Sequence, residues 1–127
     1  MPARYEIDKE RRLVISTGWG RLSFGDAQAH QEQLLNDPDF DPEFNQLIDW
    51  TAVTAVDIPA QEVGIFAGRT VFSRRSRRAF VAPGPANFGI ARAFKTYHEM
   101  SHAPSQVGVF RDLASALQWL GVNPPPA

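Results

Sequence analysis

The chain of 127 residues contains no cysteine. That excludes disulfides, thiolate metal centres and a cysteine nucleophile, and it fits a reducing cytosol. Lysine is almost missing as well. Lys9 and Lys95 are the only copies, and arginine carries the remaining basic charge, a compositional bias that proves no function by itself. Neither sign of charge is in excess: 13 basic side chains face 14 acidic ones, for a net charge of -1. Such a balance leaves no electrostatic footprint for nucleic acid or an anionic membrane. No apolar run approaches the ~20 residues a membrane span needs, and the polar stretch Met1 to Arg12 does not read as a signal peptide. The expectation is a cytoplasmic protein without nucleic acid, membrane insertion or cofactor.

What is present is ordinary globular composition, 43% hydrophobic and 21% charged, and a length that suits one domain with a real core. Two short β-like runs, Arg4 to Ile7 and Arg12 to Thr17, flank a polar turn and predict a hairpin. Gly18 and Gly20 around Trp19 suggest a strand end or bulge. Ser23-Phe24-Gly25-Asp26 has the form of a capping box, opening a helix to about Asn36 whose thin apolar stripe leaves Gln31 or His30 near the buried face. Phe44 to Trp50 reads as a buried strand. A helix follows from Pro59 with Val63, Phe66, Ala67 and Val71 on one face. Arg78 to Ala82 is a strand, Pro85 suits the first turn of a helix, and Gln106 to Phe110 is a last strand. Asp112 and Gly121 bracket a final helix as its caps. The order ββαβαβαβα predicts an α/β fold with a mostly parallel sheet and an antiparallel opening hairpin. Residues 1–122 form the expected domain and 123–127 a Pro-rich, disordered tail. Leu47, Ile48, Val63, Phe66, Ala67, Phe80, Ala91, Phe94, Val109, Leu117 and Leu120 are the expected core.

Between Trp50 and Pro59 the small residues Thr51 to Val56 read as a loop at the carboxyl end of a buried strand, the rim where open α/β sheets bind ligands. Asp49 and Asp57 bracket it. As a pair they suit a cation or acid–base work; as single residues they suit a turn and the cap of the next helix, which is the preferred reading.

The segments Gly20-Arg21-Leu22-Ser23, Asp37-Pro38-Asp39-Phe40, Leu47-Ile48-Asp49, Phe88-Gly89-Ile90-Ala91-Arg92 and Val109-Phe110-Arg111-Asp112, with Trp119-Leu120-Gly121, together resemble the STAS domains. The nearer resemblance is to the SpoIIAA-like branch grouped with the CRAL-TRIO lipid-transfer fold, small bacterial proteins mostly of unknown function. It spans nearly the whole chain and implies a SpoIIAA-like β-α superhelix. It also implies a regulatory, protein-binding module or, from the lipid-transfer relatives, an apolar ligand. One departure matters. Phosphorylated antagonists carry an Asp-Ser-Ser-Gly motif where this chain reads Asp57-Ile58-Pro59-Ala60. With no hydroxyl there, the usual phosphorylation switch is absent or displaced to Thr51 or Thr54.

Three further features compete for a function. His98-Glu99-Met100-Ser101-His102 is a literal His-Glu-x-x-His pattern, the spacing of a metal-dependent hydrolase. Its place at a helix end, with no evident third ligand, argues against a metal. Arg69, Arg74, Arg75, Arg77 and Arg78 form the one charge cluster, suited to an acidic partner or anion or to plain solvation. Ile65 and Phe72, if both exposed, would make a patch for a partner or a second copy of the chain. The leading expectation is a non-enzymatic STAS-like binding module. Its candidate ligand or partner residues are Thr51, Thr54, Asp57, Arg74, Arg75, Arg77, Asn87, Phe88 and Arg92. The alternative is a carrier of a small apolar or anionic ligand near Phe88 and Arg92, and the third is a hydrolase using His98 and His102.

Overall fold

The structure is a computed structural model and describes residues 2–69, 71–102 and 105–122; the Pro-rich tail lies outside them. Five strands form one sheet in the order β1 (Ala3–Asp8), β2 (Leu13–Ser23), β3 (Asn45–Asp57), β4 (Arg77–Val81) and β5 (Gln106–Phe110). β1 and β2 are the antiparallel hairpin, and the remaining neighbours are parallel. Between the later strands run α1 (Phe24–Leu35), α2 (Ala60–Ala67) and α3 (Pro85–Met100), and α4 (Leu113–Leu120) follows β5. The element order and the mostly parallel sheet are those expected from the sequence. None of the helices is long and apolar enough to cross a membrane, among the described residues.

Strand alternation sorts the side chains into two layers. Leu13, Leu47, Ala79 and Val81 face α4 and pack on Ala116, Leu117 and Leu120. Their neighbours on the opposite face, Val14, Ile48 and Phe80, pack against α1, α2 and α3 through Leu34, Val63, Ala67, Ala91 and Phe94. Three helices therefore cover one face and one helix the other. Of the expected core, Phe66 and Val109 are only half-buried and the rest is buried.

The caps explain where helices begin. Ser23 accepts from the Asp26 amide while Asp26 accepts from the Ser23 amide, closing the capping box of α1. Asp112 accepts from the Ser115 amide at 2.8 Å, and Gly121, at φ 74°, ends α4 in the left-handed conformation.

Three expectations fail. The stretch Thr51 to Asp57 is not a loop: β3 continues through it, paired with Trp19 to Ser23 of β2. Register shifts fall between Thr17 and Trp19 and between Gly20 and Arg21, with Gly20 at φ 63°. These bulges re-phase the alternation, so a β-branched strand imitates a small-residue loop. Asp57 accordingly does not cap α2. Pro59 occupies that position without a side-chain cap, and Asp57 pairs across the strands with Arg21. The second helix is also shorter than expected. It stops at Ala67, and Val71 and Phe72 lie beyond it, both buried. Phe72 packs edge-on against Phe40 at 5.3 Å. Of Ile65 and Phe72 only Ile65 is exposed, so the condition for an apolar patch is not met.

Candidate functional site

A cavity of about 90 Å³ lies between the three-helix layer and the sheet. Its floor is Ser16, Gln46, Ile48 and Trp50 on β2 and β3, with Arg78 and Phe80 on β4. Its roof is Ala27, His30, Gln31 and Leu34 of α1, Val63 and Phe66 of α2, and Ile90 and Phe94 of α3. The small residues Ala3, Ser16, Gly18 and Ala27 leave the space that larger side chains would fill. The half-buried members of the roof, Ala27 and His30 on α1, Phe66 on α2 and Ile90 on α3, are joined by Ile58 just before α2. Most of the wall is hydrocarbon, as in small-molecule sites generally.

Against that wall stands one charged side chain. Arg78 is 4% exposed. Its Nε donates to Gln46 Oε1 at 3.0 Å, and Gln46 Nε2 donates to Ser16 Oγ at 3.0 Å. The Phe72 and Phe94 rings take the cation at 4.7 and 5.4 Å from their centroids, a favourable arrangement for a desolvated guanidinium. The ion pairs among the described residues are Lys9–Asp39, Arg11–Asp8 and Arg21–Asp57; none reaches Arg78. Burial brings its pKa down to about 10, so it stays charged at neutral pH. A buried cation without an acid is costly and unusual.

The roof carries the complementary oddity. His30 Nε2 is buried and has no hydrogen-bond partner. Burial, with the Arg78 charge adding, brings the imidazole pKa down to about 4. Tyr5 meets the ring edge-on at 5.4 Å. Beside it, buried Gln31 accepts from Arg69 Nη1 at 3.2 Å, and the Arg69 guanidinium lies over Phe66.

The residues singled out from sequence fall elsewhere. Thr51 and Thr54 are exposed on the extended β3, and Thr51 donates through its amide to Asp49 at 2.9 Å. Asn87 is buried and donates to the Val53 carbonyl at 3.0 Å, tying α3 to β3. Phe88 is half-buried under the Arg111 guanidinium, 4.0 Å from the ring centroid, and Arg92 is exposed. The arginine cluster divides. Arg74 and Arg75 are exposed. Arg77 lies over Trp119 and donates to its carbonyl at 2.8 Å. Arg69 and Arg78 turn inward. His98 and His102 do not share a face: His98 is 2% exposed, whereas His102 follows the helix at φ 59° and is exposed. Both His98 ring nitrogens are occupied, Nδ1 by the Ala67 carbonyl at 3.0 Å and Nε2 by the Ser105 carbonyl and hydroxyl at 2.7 and 3.2 Å. No three metal-ligating side chains converge among the described residues.

Sequence reasoning missed Arg78 as an interior residue. It did flag Gln31 or His30, from the thin apolar stripe of α1. The signal for Arg78 was its place two residues before Phe80 in a short strand, the spacing that puts both on one face.

The architecture is that of a SpoIIAA-like α/β domain, and the solved structures agree. The chain is similar to an uncharacterised protein of the DUF3478 family with a SpoIIAA-like fold from Shewanella loihica. The TM-score is 0.59 and the identity 20%, and the match covers 93% of each chain. No family model matches the sequence, and no curated protein matches it.

Proposed function

We propose that the chain is a non-enzymatic binding module whose site is the cavity between the sheet and α1, α2 and α3, and that its ligand is a small molecule with an apolar body. The observation that carries this reading is the cavity itself, a space of about 90 Å³ walled mainly by Ile48, Trp50, Ile58, Val63, Phe66 and Phe80. Apolar cavities of comparable size take up small hydrocarbons. The reading moves the ligand from the surface near Phe88 and Arg92 to the interior. A binding role is favoured over catalysis because the one serine–histidine hydrogen bond among the described residues, Ser105 to His98, is sealed in the core and lines no part of the cavity. A protein partner would meet the outer surface, where Thr51, Thr54, Arg74, Arg75 and Arg92 are exposed.

Titration with short-chain alkyl compounds, followed by the Trp50 indole resonance, tests this. Saturable shifts are expected at Trp50 and at the Ala27 methyl. Ala27→Leu, which fills the cavity from the roof, should abolish them in a folded protein. Shifts that persist in Ala27→Leu, or none in the parent chain, would refute the reading.

A further inference from the structure

We infer that the ligand of this cavity is a short-chain monocarboxylate, its carboxylate held by Arg78 and His30 and its hydrocarbon body against Trp50, Ile58 and Phe66. The inference rests on the cavity being the binding site, and it adds the chemistry of the head group.

The argument begins with donors. A guanidinium carries five N–H groups. In Arg78 the Nε–H goes to Gln46, and no other hydrogen bond of this side chain occurs among the described residues. Phe72 and Phe94 occupy the cation with their rings, which offer no acceptor for the Nη hydrogens. Those hydrogens are the fork that matches a planar carboxylate through two parallel bonds. His30 Nε2 is a second polar atom in the same cavity, independently without a partner. In the tautomer that protonates Nε2, it becomes a further donor to the same anion.

Charge decides among anions. The lining contains Arg78 but no aspartate or glutamate, so one negative charge on the ligand neutralises the interior. A dianionic phosphoryl group would leave an excess negative charge in a hydrocarbon wall, which is expensive. A neutral ligand would leave the Arg78 cation unpaired. Size limits the body. A cavity near 150 Å³ accommodates benzene, so about 90 Å³ suits a body of about three to five carbons. The hydrocarbon has Trp50 and Phe66 on opposite sides, and the carboxylate reaches Arg78 on the floor.

The test uses pentanoate, pentanamide and butylphosphonate, which share a four-carbon body, with the intact chain. Binding is read from the Trp50 indole and from the carboxyl resonance of 13C-labelled pentanoate. Pentanoate should bind more tightly than pentanamide. Arg78→Met should weaken pentanoate by about tenfold to a hundredfold, the usual worth of a charged hydrogen bond, and leave pentanamide almost unchanged. Arg78→Lys keeps the charge but loses the fork, and should fall between; it also guards against a misfolded methionine variant. His30→Phe should weaken pentanoate and spare pentanamide. If pentanoate and pentanamide bind equally, and Arg78→Met changes neither, the carboxylate assignment fails while the cavity reading stands. If butylphosphonate binds more tightly than pentanoate, a phosphoryl head group replaces the carboxylate. If none of the three perturbs Trp50, both readings fail together.

Discussion

Removing a buried arginine from a protein core ordinarily costs 3–5 kcal/mol or so, because an acid partner is orphaned. Arg78 has no acid partner among the described residues, and the sign should differ. Burial brings its pKa down from the ordinary guanidinium range to about 10, which corresponds to about 3 kcal/mol of unfavourable desolvation at 1.36 kcal/mol per pH unit. Arg78→Met removes that penalty and keeps a flexible stem between Phe72 and Phe94, where sulfur–aromatic contacts of about 1 kcal/mol partly replace the cation–π energy. The loss is Gln46 Oε1, deprived of its donor at 3.0 Å, worth about 1–3 kcal/mol when left unsatisfied. The single variant should therefore stay within about 1 kcal/mol of the parent chain. Arg78→Met combined with Gln46→Leu and Ser16→Ala removes both that orphan and the buried hydroxyl that Gln46 serves at 3.0 Å, and should gain about 1–2 kcal/mol, or roughly 3–8 °C in Tm for a chain of this size. Urea unfolding by circular dichroism reads the difference as a shift in midpoint at constant slope. A loss beyond 2 kcal/mol in the triple variant would show that Arg78 is a structural residue, and the argument for a waiting counter-ion would fall. Stabilisation together with loss of binding is the pattern of a functional residue kept at the expense of stability.

Two further outcomes are expected. The folded pKa of His30, about 4, lies below its ordinary 6.5, so between these values the unfolded chain binds a proton that the folded chain refuses. Its contribution is fully present above pH 6.5 and is lost as pH falls towards 4, by about 2–3 kcal/mol; His30→Phe should flatten the difference in stability between pH 7 and 4.5, and an unchanged slope would refute the burial argument. A methyl group added at Gly108 would sit 2.8 Å from Phe110 Cε2 and 3.2 Å from Trp119 Cε3, so Gly108→Ala should cost about 1–2 kcal/mol in urea unfolding, and no measurable loss would mean that both rings move aside freely.

The elements that read clearly from sequence are those whose signals are local. The capping box at Ser23 and Asp26, Pro85 in the first turn of α3, and the Asp112 and Gly121 caps of α4 each depend on neighbours within four residues, and the structure has all of them. β3 misled because its second half is shaped by bulges against β2, and those depend on Gly18 and Gly20, some thirty residues away. The site was hidden for a related reason. Arg77 and Arg78 look alike in sequence, yet strand alternation sends one over Trp119 and the other into the core. Both faces of β4 are covered by helices, so neither residue announces its side through a polar pattern. Nothing local marks a cavity, because its walls come from seven elements that meet only in the folded chain.

The sheet order β1-β2-β3-β4-β5 is also the order of the sequence. Each strand is therefore added to an edge built by the one before it, and none has to be inserted between two that are already paired. The longest-range closures are those of single β-α-β units, which keeps the entropy of each step small. During synthesis from the amino terminus the newest strand would be an open edge, with β4 in that position until residues 106–110 arrive. A chain stopped before β5 would present that edge, with Ala79 and Val81 uncovered for want of α4, as a template for pairing with another molecule.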